Sequence, residues 1–205
     1  MFEEHAEEYD SWYLEHPLIF ESEAKAIEAL GANGLGLEVG VGSGVFAKRL
    51  GVSVGIDPSL SMLLLAKSKG IEVVRGVGKY LPFRDDAFDY ILIANTLCFV
   101  RNPRAMIKDA GRVLKEAGSL IVCEVPKDPS WGRLYEEKRG RGHRFYRYAT
   151  LYTILNLYHI LEDGGFRVVD AKGTLSLGPS EEERVEEPES SIEGKSFVCL
   201  GAVKG

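Results

Sequence analysis

Short apolar runs alternate with longer amphipathic runs through the middle of the chain. The short runs are rich in branched side chains, as strands that are buried on both faces of a sheet must be. The long runs repeat apolar residues at helical spacing, as Met106, Ala110 and Val113 do. This alternation predicts a parallel sheet covered by helices. The predicted strands are 35–39, 52–56, 71–74, 88–93 and 119–125, and the helices between them include 45–50, 60–69 and 105–115.

The residues before the first predicted strand have a helical pattern of their own. Residues 9–30 carry apolar side chains at helical spacing, among them Trp12 and Ile27. The pattern is interrupted near Pro17, since proline cannot donate a backbone hydrogen bond inside a helix. We interpret residues 1–34 as a helical cover for the sheet.

The alternation stops after residue 125. Residues 126–150 are rich in Pro, Gly, Arg and aromatic residues, and we predict that they form a small cap insertion on the substrate side of the sheet. A helix is predicted over 151–161 and two further strands over 166–170 and 196–203. The acidic run between these strands, which includes Glu181, Glu182, Glu183, Glu186 and Glu187, is typical of a solvated loop. With 205 residues, the chain 1–205 is expected to be a single domain.

Composition narrows the choice of partners. Hydrophobic residues make up 45% of the chain and charged residues 27%, and no apolar run approaches the roughly 20 residues that span a bilayer. The first residues are acidic and lack the pattern of an export signal, so we expect a cytoplasmic protein. A net charge of -6 makes nucleic acid an unlikely partner and favours a small molecule. The absence of glutamine points to a thermophilic source. The oligomeric state cannot be predicted.

The three cysteines are far apart in the sequence. Cys98, Cys123 and Cys199 match no metal-ligand spacing, and each lies in an apolar stretch. We therefore predict three buried, reduced thiols and no metal site.

Three glycines within five residues follow the first predicted strand and precede a helical segment. Gly40, Gly42 and Gly44 form a turn that lets a ligand approach the main chain closely. Asp57 ends the next strand, where a carboxylate can accept hydrogen bonds from both hydroxyls of a ribose. This arrangement is typical of a nucleotide-binding site.

Two classes of cofactor use such a turn. A dinucleotide fingerprint requires a small residue at the position of Val45, where a branched side chain crowds the contact between helix and strand. Glu38, two places before Gly40, is suited to receive the amino group of an amino-acid ligand. The pattern favours a nucleoside joined to an amino acid, while an NAD-dependent dehydrogenase stays as an alternative.

The segment 38–44 resembles motif I of the class I S-adenosylmethionine (SAM) dependent methyltransferases, and in particular small-molecule enzymes of the type 11 and menaquinone-biosynthesis kind. Other segments resemble further motifs of this family in the expected order. They are Phe2 with Tyr9, Asp10 and Trp12; 55–59 with Met62; 81–83 with 88–89; 112–115 with Gly118; and 164–166. The resemblance extends over residues 2 to about 170.

The resemblance implies an α/β fold: a Rossmann-like, doubly wound and mostly parallel sheet of seven strands, with helices on both faces and the last strand antiparallel. It also implies SAM as the cofactor, held over the strand ends. The residues expected to contact it are Tyr9, Glu38, Gly40, Val41, Gly42, Gly44, Asp57, Pro58, Met62, Val77, Gly78, Asn95 and Thr96. Asp57 would hold the ribose, Met62 would pack near the adenine, and Asn95 and Thr96 would line the methionine end.

The chain departs from the family at one position. The family usually has Gly-Asp-Ala before the Leu-Pro-Phe element, and its aspartate accepts a bond from the adenine amine. This chain has Gly76, Val77 and Gly78 there. Adenine recognition is therefore left to the main chain at Val77 and Gly78.

The expected function is methyl transfer from SAM to a small-molecule acceptor by in-line displacement, which needs mainly alignment and exclusion of water. Candidates for a general base are His143, Tyr146 and His5. The basic and aromatic run 138–147 is interpreted as a lid, with a solvated loop or a nucleic-acid contact as alternatives. A catalytically silent SAM-binding module is the second alternative for the whole chain.

Overall fold

A single seven-stranded sheet runs through the computed structural model, which describes residues 2–205. Its strands are β1 Gly36–Val39, β2 Val54–Asp57, β3 Glu72–Arg75, β4 Phe88–Ala94, β5 Leu114–Glu124, β6 Phe166–Thr174 and β7 Phe197–Lys204. The order across the sheet is β3-β2-β1-β4-β5-β7-β6. β7 is antiparallel to both β5 and β6, and β1 to β5 pair in parallel. The predicted fold class is confirmed, including the antiparallel last strand.

Helices cover both faces of the sheet. They are α1 Ala6–Glu15, α2 Pro17–Glu28, α3 Val45–Leu50, α4 Leu60–Ser68, α5 Pro103–Val113, α6 Ser130–Gly140 and α7 Ile154–Asp163, with 3₁₀ turns at Leu97–Phe99 and Tyr146–Tyr148. Successive strand residues point to opposite faces, so Leu92 packs in one core and Ile93 in the other. α5 and α7 cover one core, and most of the other helices cover the second. None of the helices in residues 2–205 has the length and apolar character needed to cross a membrane.

Local sequence signals explain where several helices begin. Pro17 is the first residue of α2, a position at which its missing N–H removes no helical hydrogen bond. α5 begins after Asn102, whose side chain accepts a hydrogen bond from the Ala105 amide at 3.1 Å. α7 begins at Ile154, later than predicted, because Thr153 and Asn156 form a capping box.

The insertion 126–150 contains a helix that the sequence did not predict. α6 buries Trp131 and Tyr135, which are four residues apart and lie on one face. Its other face carries charged residues, including Glu137 and Lys138. Because the apolar stripe is this narrow, the helical period is hard to recognise in the sequence.

Two of the three cysteines are joined. Cys123 in β5 lies directly opposite Cys199 in β7, and the pair forms a disulfide. Cys98 is a free and buried thiol. The prediction of reduced thiols is therefore wrong for Cys123 and Cys199. Their proximity depends on β5 and β7 being neighbours, although 76 residues separate the two cysteines along the chain.

The acidic run between β6 and β7 is a loop, as predicted, but it is not fully solvated. The Glu183 carboxylate contacts His16, and that of Glu187 pairs with Lys25 of α2. Glu186 accepts hydrogen bonds from the backbone amides of Ser176 and Leu177 at 2.8 and 3.2 Å. The contacts with His16 and Lys25 fasten the loop to the N-terminal segment, and those of Glu186 lie within the loop itself. Glu181 and Glu182 are exposed.

Candidate active site

A first cavity of about 460 Å³ lies beyond the carboxyl ends of β1, β2 and β4. The chain leaves β1 and β4 in opposite directions there, which is where open α/β sheets bind ligands. Every residue predicted to contact the cofactor lines this cavity except Gly44. The sequence did not predict several other lining residues, among them Ser43, Lys79, Phe99, Arg101, Asn102 and Tyr148.

Each of the three positions in the turn favours glycine for a different physical reason. All have positive φ, which favours glycine. A Cβ on Gly40 would lie 2.3 Å from the Thr96 side chain, and one on Gly44 would lie 2.9 Å from the Cβ of Ala66. A Cβ on Gly42 would meet no protein atom within 4 Å. Gly42 therefore leaves open space toward the cavity, whereas Gly44 allows close packing of α3 on α4, which explains why it does not line the site.

The Asp57 carboxylate is fixed by two backbone amides. One oxygen accepts from Gly42 N at 3.1 Å and the other from Ser59 N at 2.8 Å. Burial raises the pKa of Asp57, while these two hydrogen bonds oppose that rise. The carboxylate thus connects the glycine turn to the start of α4, and each oxygen keeps a further lone pair for a ligand.

Glu38 is buried inside the wall of the first cavity, with 2% of its surface exposed. Its Oε2 atom has no hydrogen-bond partner within residues 2–205. Burial raises the pKa of Glu38 well above its usual range, and the charge of Asp57 raises it further. A buried carboxyl without a partner is costly, so this atom is suited to a ligand that brings a donor or a positive charge.

The far end of the first cavity is apolar. Val77 is 42% exposed at its rim, and Met62 is buried in its wall. A Cβ on Gly78 would lie 2.8 Å from the Cε atom of Met106 and 2.9 Å from the Cγ1 atom of Val39, so these side chains would have to move to admit one. This end of the cavity therefore offers apolar surface to a ligand.

Asn95 and Thr96 directly follow β4 and line the first cavity away from Val77 and Met62. Asn95 has φ +48, an uncommon backbone conformation that Asn tolerates better than most residues. Glu124 of β5 fixes the turn, since one of its carboxylate oxygens accepts from Thr96 N at 2.9 Å and Leu97 N at 2.6 Å. Burial raises the pKa of Glu124 to about 7.

A second cavity of about 270 Å³ adjoins the first. Four residues line both cavities: Tyr9, Tyr13, Asn95 and Phe99. The cap insertion supplies Tyr135, Lys138, His143, Phe145 and Tyr146 to the second cavity, and two buried carboxyl groups, Glu23 and Glu124, also line it. The insertion therefore lies over the sheet beside the first cavity.

The candidate bases are placed differently from one another. His143 and Tyr146 line the second cavity, with their rings 5.1 Å apart. Burial and the charge of Lys138 lower the pKa of His143, and burial raises that of Tyr146. His5 lines neither cavity and contacts Glu8 near the surface. Within residues 2–205, no group of His, Cys, Asp and Glu side chains is arranged to hold a metal ion.

Comparison with known proteins connects this geometry to a family. Residues 37–122 match the family model of a methyltransferase domain. A crystal structure from Thermotoga maritima, described as a SAM-dependent methyltransferase and possible histamine N-methyltransferase, superposes with a TM-score of 0.95 at 34% identity, covering 100% of this chain and 98% of that one. This chain belongs to the SAM-dependent methyltransferases. As a member of that family it is an enzyme, and SAM is its cofactor.

Two curated relatives have no assigned function. An uncharacterised protein of Methanocaldococcus jannaschii is 37% identical over 100% of this chain and 98% of its own length. An uncharacterised protein of Mycobacterium tuberculosis is 38% identical over 82% of this chain, and the match spans 59% of that longer protein. Their names give no methyl acceptor.

Proposed function

We propose that this methyltransferase transfers the methyl group of SAM to a small-molecule acceptor by in-line displacement. The cofactor occupies the first cavity, and the acceptor enters the second. The observation that carries this proposal is the shared wall of the two cavities, formed by Tyr9, Tyr13, Asn95 and Phe99. An in-line reaction needs a donor and an acceptor on opposite sides of one transferred group, and adjoining cavities provide that arrangement.

The residues of the first cavity fit SAM along its whole length. The unpartnered oxygen of Glu38 receives the amino group of the methionine part, and the open space at Gly42 lets the ligand approach the main chain. Asp57 holds the ribose, and the apolar end at Val77 and Met62 takes the adenine. Tyr9, Gly40, Val41, Pro58, Gly78, Asn95 and Thr96 complete the proposed contacts.

When bound, SAM supplies a methyl group on a positively charged sulfur. The side chains of the shared wall then align the acceptor and exclude water. Aromatic rings are well suited to this role here: the Phe2 ring lies 5.2 Å from that of Tyr9, 5.0 Å from that of Phe99 and 5.6 Å from that of Phe145. This cluster joins the N-terminal cover to the cap insertion.

A small acceptor is favoured over a nucleic acid because the basic run of the insertion is paired with acids. Arg139 forms an ion pair with Glu136 at 3.2 Å, Arg141 pairs with Glu137, and Arg144 pairs with Glu8. Arginines that are neutralised in this way attract a phosphate backbone weakly. The insertion 126–150 therefore serves as a cover for the acceptor, and its side chains His143 and Tyr146 face that acceptor.

We also propose that the protein works inside cells at high temperature. The sequence lacks glutamine, and intracellular proteins of hyperthermophiles are an exception to the rarity of disulfides in the cytosol. Alkylation of the unreduced, denatured protein should label Cys98 alone. Labelling of all three cysteines in protein purified without reductant would contradict the disulfide and this part of the proposal.

Methyl transfer is tested with SAM that carries a radioactive methyl group. The enzyme is incubated with a fractionated cell extract, and label is measured separately in metabolites, protein and nucleic acid. We expect label in the metabolite fraction and its loss in the variant Gly42→Val. Label only in protein or nucleic acid would overturn the small-molecule acceptor. Tight binding of the demethylated cofactor without any transfer would instead support a silent binding module.

A further inference from the structure

The second cavity contains a buried acidic group. Glu23 lies in α2, is 3% exposed, and lines this cavity. Its Oε2 atom is buried without a hydrogen-bond partner, and no Lys, Arg or His of residues 2–205 forms an ion pair with it. Burying a carboxyl oxygen in this state is costly unless a ligand pairs with it. Glu124, the other buried carboxyl, already accepts two backbone hydrogen bonds.

Aromatic side chains line the same cavity as this carboxyl. The cavity is lined by rings of Tyr9, Tyr13, Tyr135 and Tyr146, and the last two are stacked with their centroids 4.2 Å apart. Lys138 Nζ lies 5.7 Å from the centroids of both stacked rings, so these rings already face one cation. Aromatic faces attract positive charge more strongly when water is excluded.

The charged groups that line the second cavity also favour a positively charged ligand. The carboxyl groups of the cavity are Glu8 and Glu15 on α1, Glu23 on α2 and Glu124 on β5, against Lys138 on α6 and His143 in the insertion. An anionic acceptor would meet Glu15, Glu23 and Glu124, whereas Glu8 is paired with Arg144. A neutral acceptor without a donor would leave the Glu23 carboxyl unpaired in a dry site.

We propose that the second cavity binds an organic cation, and that the methyl acceptor is an amine whose ammonium group pairs with Glu23. This inference rests on the proposed function, because it names the acceptor class of the same site. Glu23 is the anchor, and the tyrosine rings surround the charged nitrogen. Asn95 and Phe99 line both cavities, so the bound amine lies next to the cofactor.

Glu23 also provides an acceptor for the proton that the amine must lose. An ammonium group has no lone pair, so one N–H proton passes to the Glu23 carboxylate before the nitrogen forms its bond to the methyl carbon. The carbon–sulfur bond breaks with its electron pair on sulfur, and the N-methylated product carries the positive charge that sulfur gives up. Burial raises the pKa of Glu23 to about 8, so its carboxylate holds a proton more readily than a solvated glutamate does.

The test uses three probes of similar shape and different charge: phenethylamine, 2-phenylethanol and 3-phenylpropionate. Each is titrated calorimetrically into the enzyme saturated with the demethylated cofactor. We expect phenethylamine to bind at least about tenfold more tightly than the other two, as one charged hydrogen bond is worth about 1.5–3 kcal/mol. Equal binding of the three probes, preference for the acid, or no binding of the amine at about 10 mM would overturn the inference.

The matched variants are Glu23→Gln and Glu28→Gln, which lie on the same helix, the second outside both cavities. Glu23→Gln should weaken phenethylamine at least about tenfold without changing the affinity for 2-phenylethanol or for the demethylated cofactor. Glu28→Gln should leave all three affinities unchanged. An amine preference that survives in Glu23→Gln would assign the cation to another group and overturn the role of Glu23.

A measurement on the wild-type enzyme tests the inference even if Glu23→Gln fails to fold. Phenyltrimethylammonium cannot titrate, so the pH dependence of its binding reports the protein groups alone. Its affinity should increase as the pH rises toward 8, by up to about tenfold for each pH unit, and should stay constant above pH 8. The reason is that Glu23 must be ionised to pair with it. A flat profile would overturn the inference. Failure of the demethylated cofactor to bind at all is a different result, because it removes the proposed function itself.

Discussion

The two cavities share a wall, but they are built in different ways. The first lies at the turns that follow β1, β2 and β4, with glycines at Gly40, Gly42 and Gly78 where a side chain would intrude on its neighbours or on the open space. The second is formed by side chains from α1, α2, β5 and the cap insertion, which are remote from one another in sequence. A site made from turns suits one constant ligand, whereas a site made from side chains can change its ligand without a change of fold.

Each cavity also holds one buried glutamate with an unpartnered oxygen, Glu38 in the first and Glu23 in the second. In the first cavity the amino group of the cofactor is the proposed partner. In the second, the proposed partner is the ammonium group of the acceptor. This parallel between the cavities can be tested separately on each side.

The largest effect is expected for Gly42→Val. A branched side chain would fill the open space in which the cofactor meets the main chain, and cofactor affinity should fall about 100-fold or more. Gly51→Val is the matched control, because Gly51 also has positive φ and open space but lines neither cavity. Both variants should lose about 1–2 kcal/mol of stability. Calorimetric titration with the demethylated cofactor should separate them; equal affinities would mean that the turn is purely structural.

Asp57→Ala comes next, with an expected loss of cofactor affinity of roughly 10- to 100-fold, and Asp57→Asn should lose less. Because the carboxylate also accepts from Gly42 and Ser59, the alanine variant should melt at a lower temperature without ligand. Thr153→Ala removes the cap of α7 and costs about 1 kcal/mol far from the site, which makes it a control for lost stability. If Asp57→Ala and Asp57→Asn bind the cofactor as tightly as the wild type does, Asp57 does not hold the ribose.

The next effect concerns pH and the second cavity. Glu23 has a pKa raised by burial from 4.5 to about 8, so the folded protein binds more protons than the unfolded chain between these values. The stability that this group contributes is complete below its unfolded pKa and is lost as the pH rises through 8, by up to about 1.4 kcal/mol per pH unit. Glu23→Gln should gain in melting temperature relative to the wild type from pH 5 to pH 8. A constant difference across this range would show that Glu23 does not titrate as a buried acid.

The smallest expected effect is a gain in cofactor affinity at Val77 in the first cavity. Val77 stands where the family usually has aspartate, and it is half exposed at the adenine end. Val77→Asp supplies an acceptor for the adenine amine and should tighten cofactor binding about threefold to tenfold. Val77→Asn provides a neutral acceptor of similar shape and should gain less. An unchanged affinity in both variants would place the adenine away from Val77.

Several features of the first cavity could be predicted from the sequence because they depend on neighbours along the chain. The period of the apolar residues identifies the parallel strands, and Gly40, Gly42 and Asp57 follow those strands directly. The carboxyl ends of parallel strands meet at one edge of the sheet, so residues that follow them come together without further information. Gly44 was the exception, since its contact with Ala66 of α4 could not be seen in the local pattern.

The amino-acid sequence by itself determined the fold class, the family and the position of the glycine turn. Only the tertiary structure decided three other features: the burial of Glu23 within α2, the insertion's place over the second cavity, and the pairing of Cys123 with Cys199. A glutamate in an amphipathic helix has the same local pattern whether it faces solvent or a cavity. Which one it faces is fixed by the packing of segments that are distant in sequence, and a periodicity of a few residues carries no record of that packing.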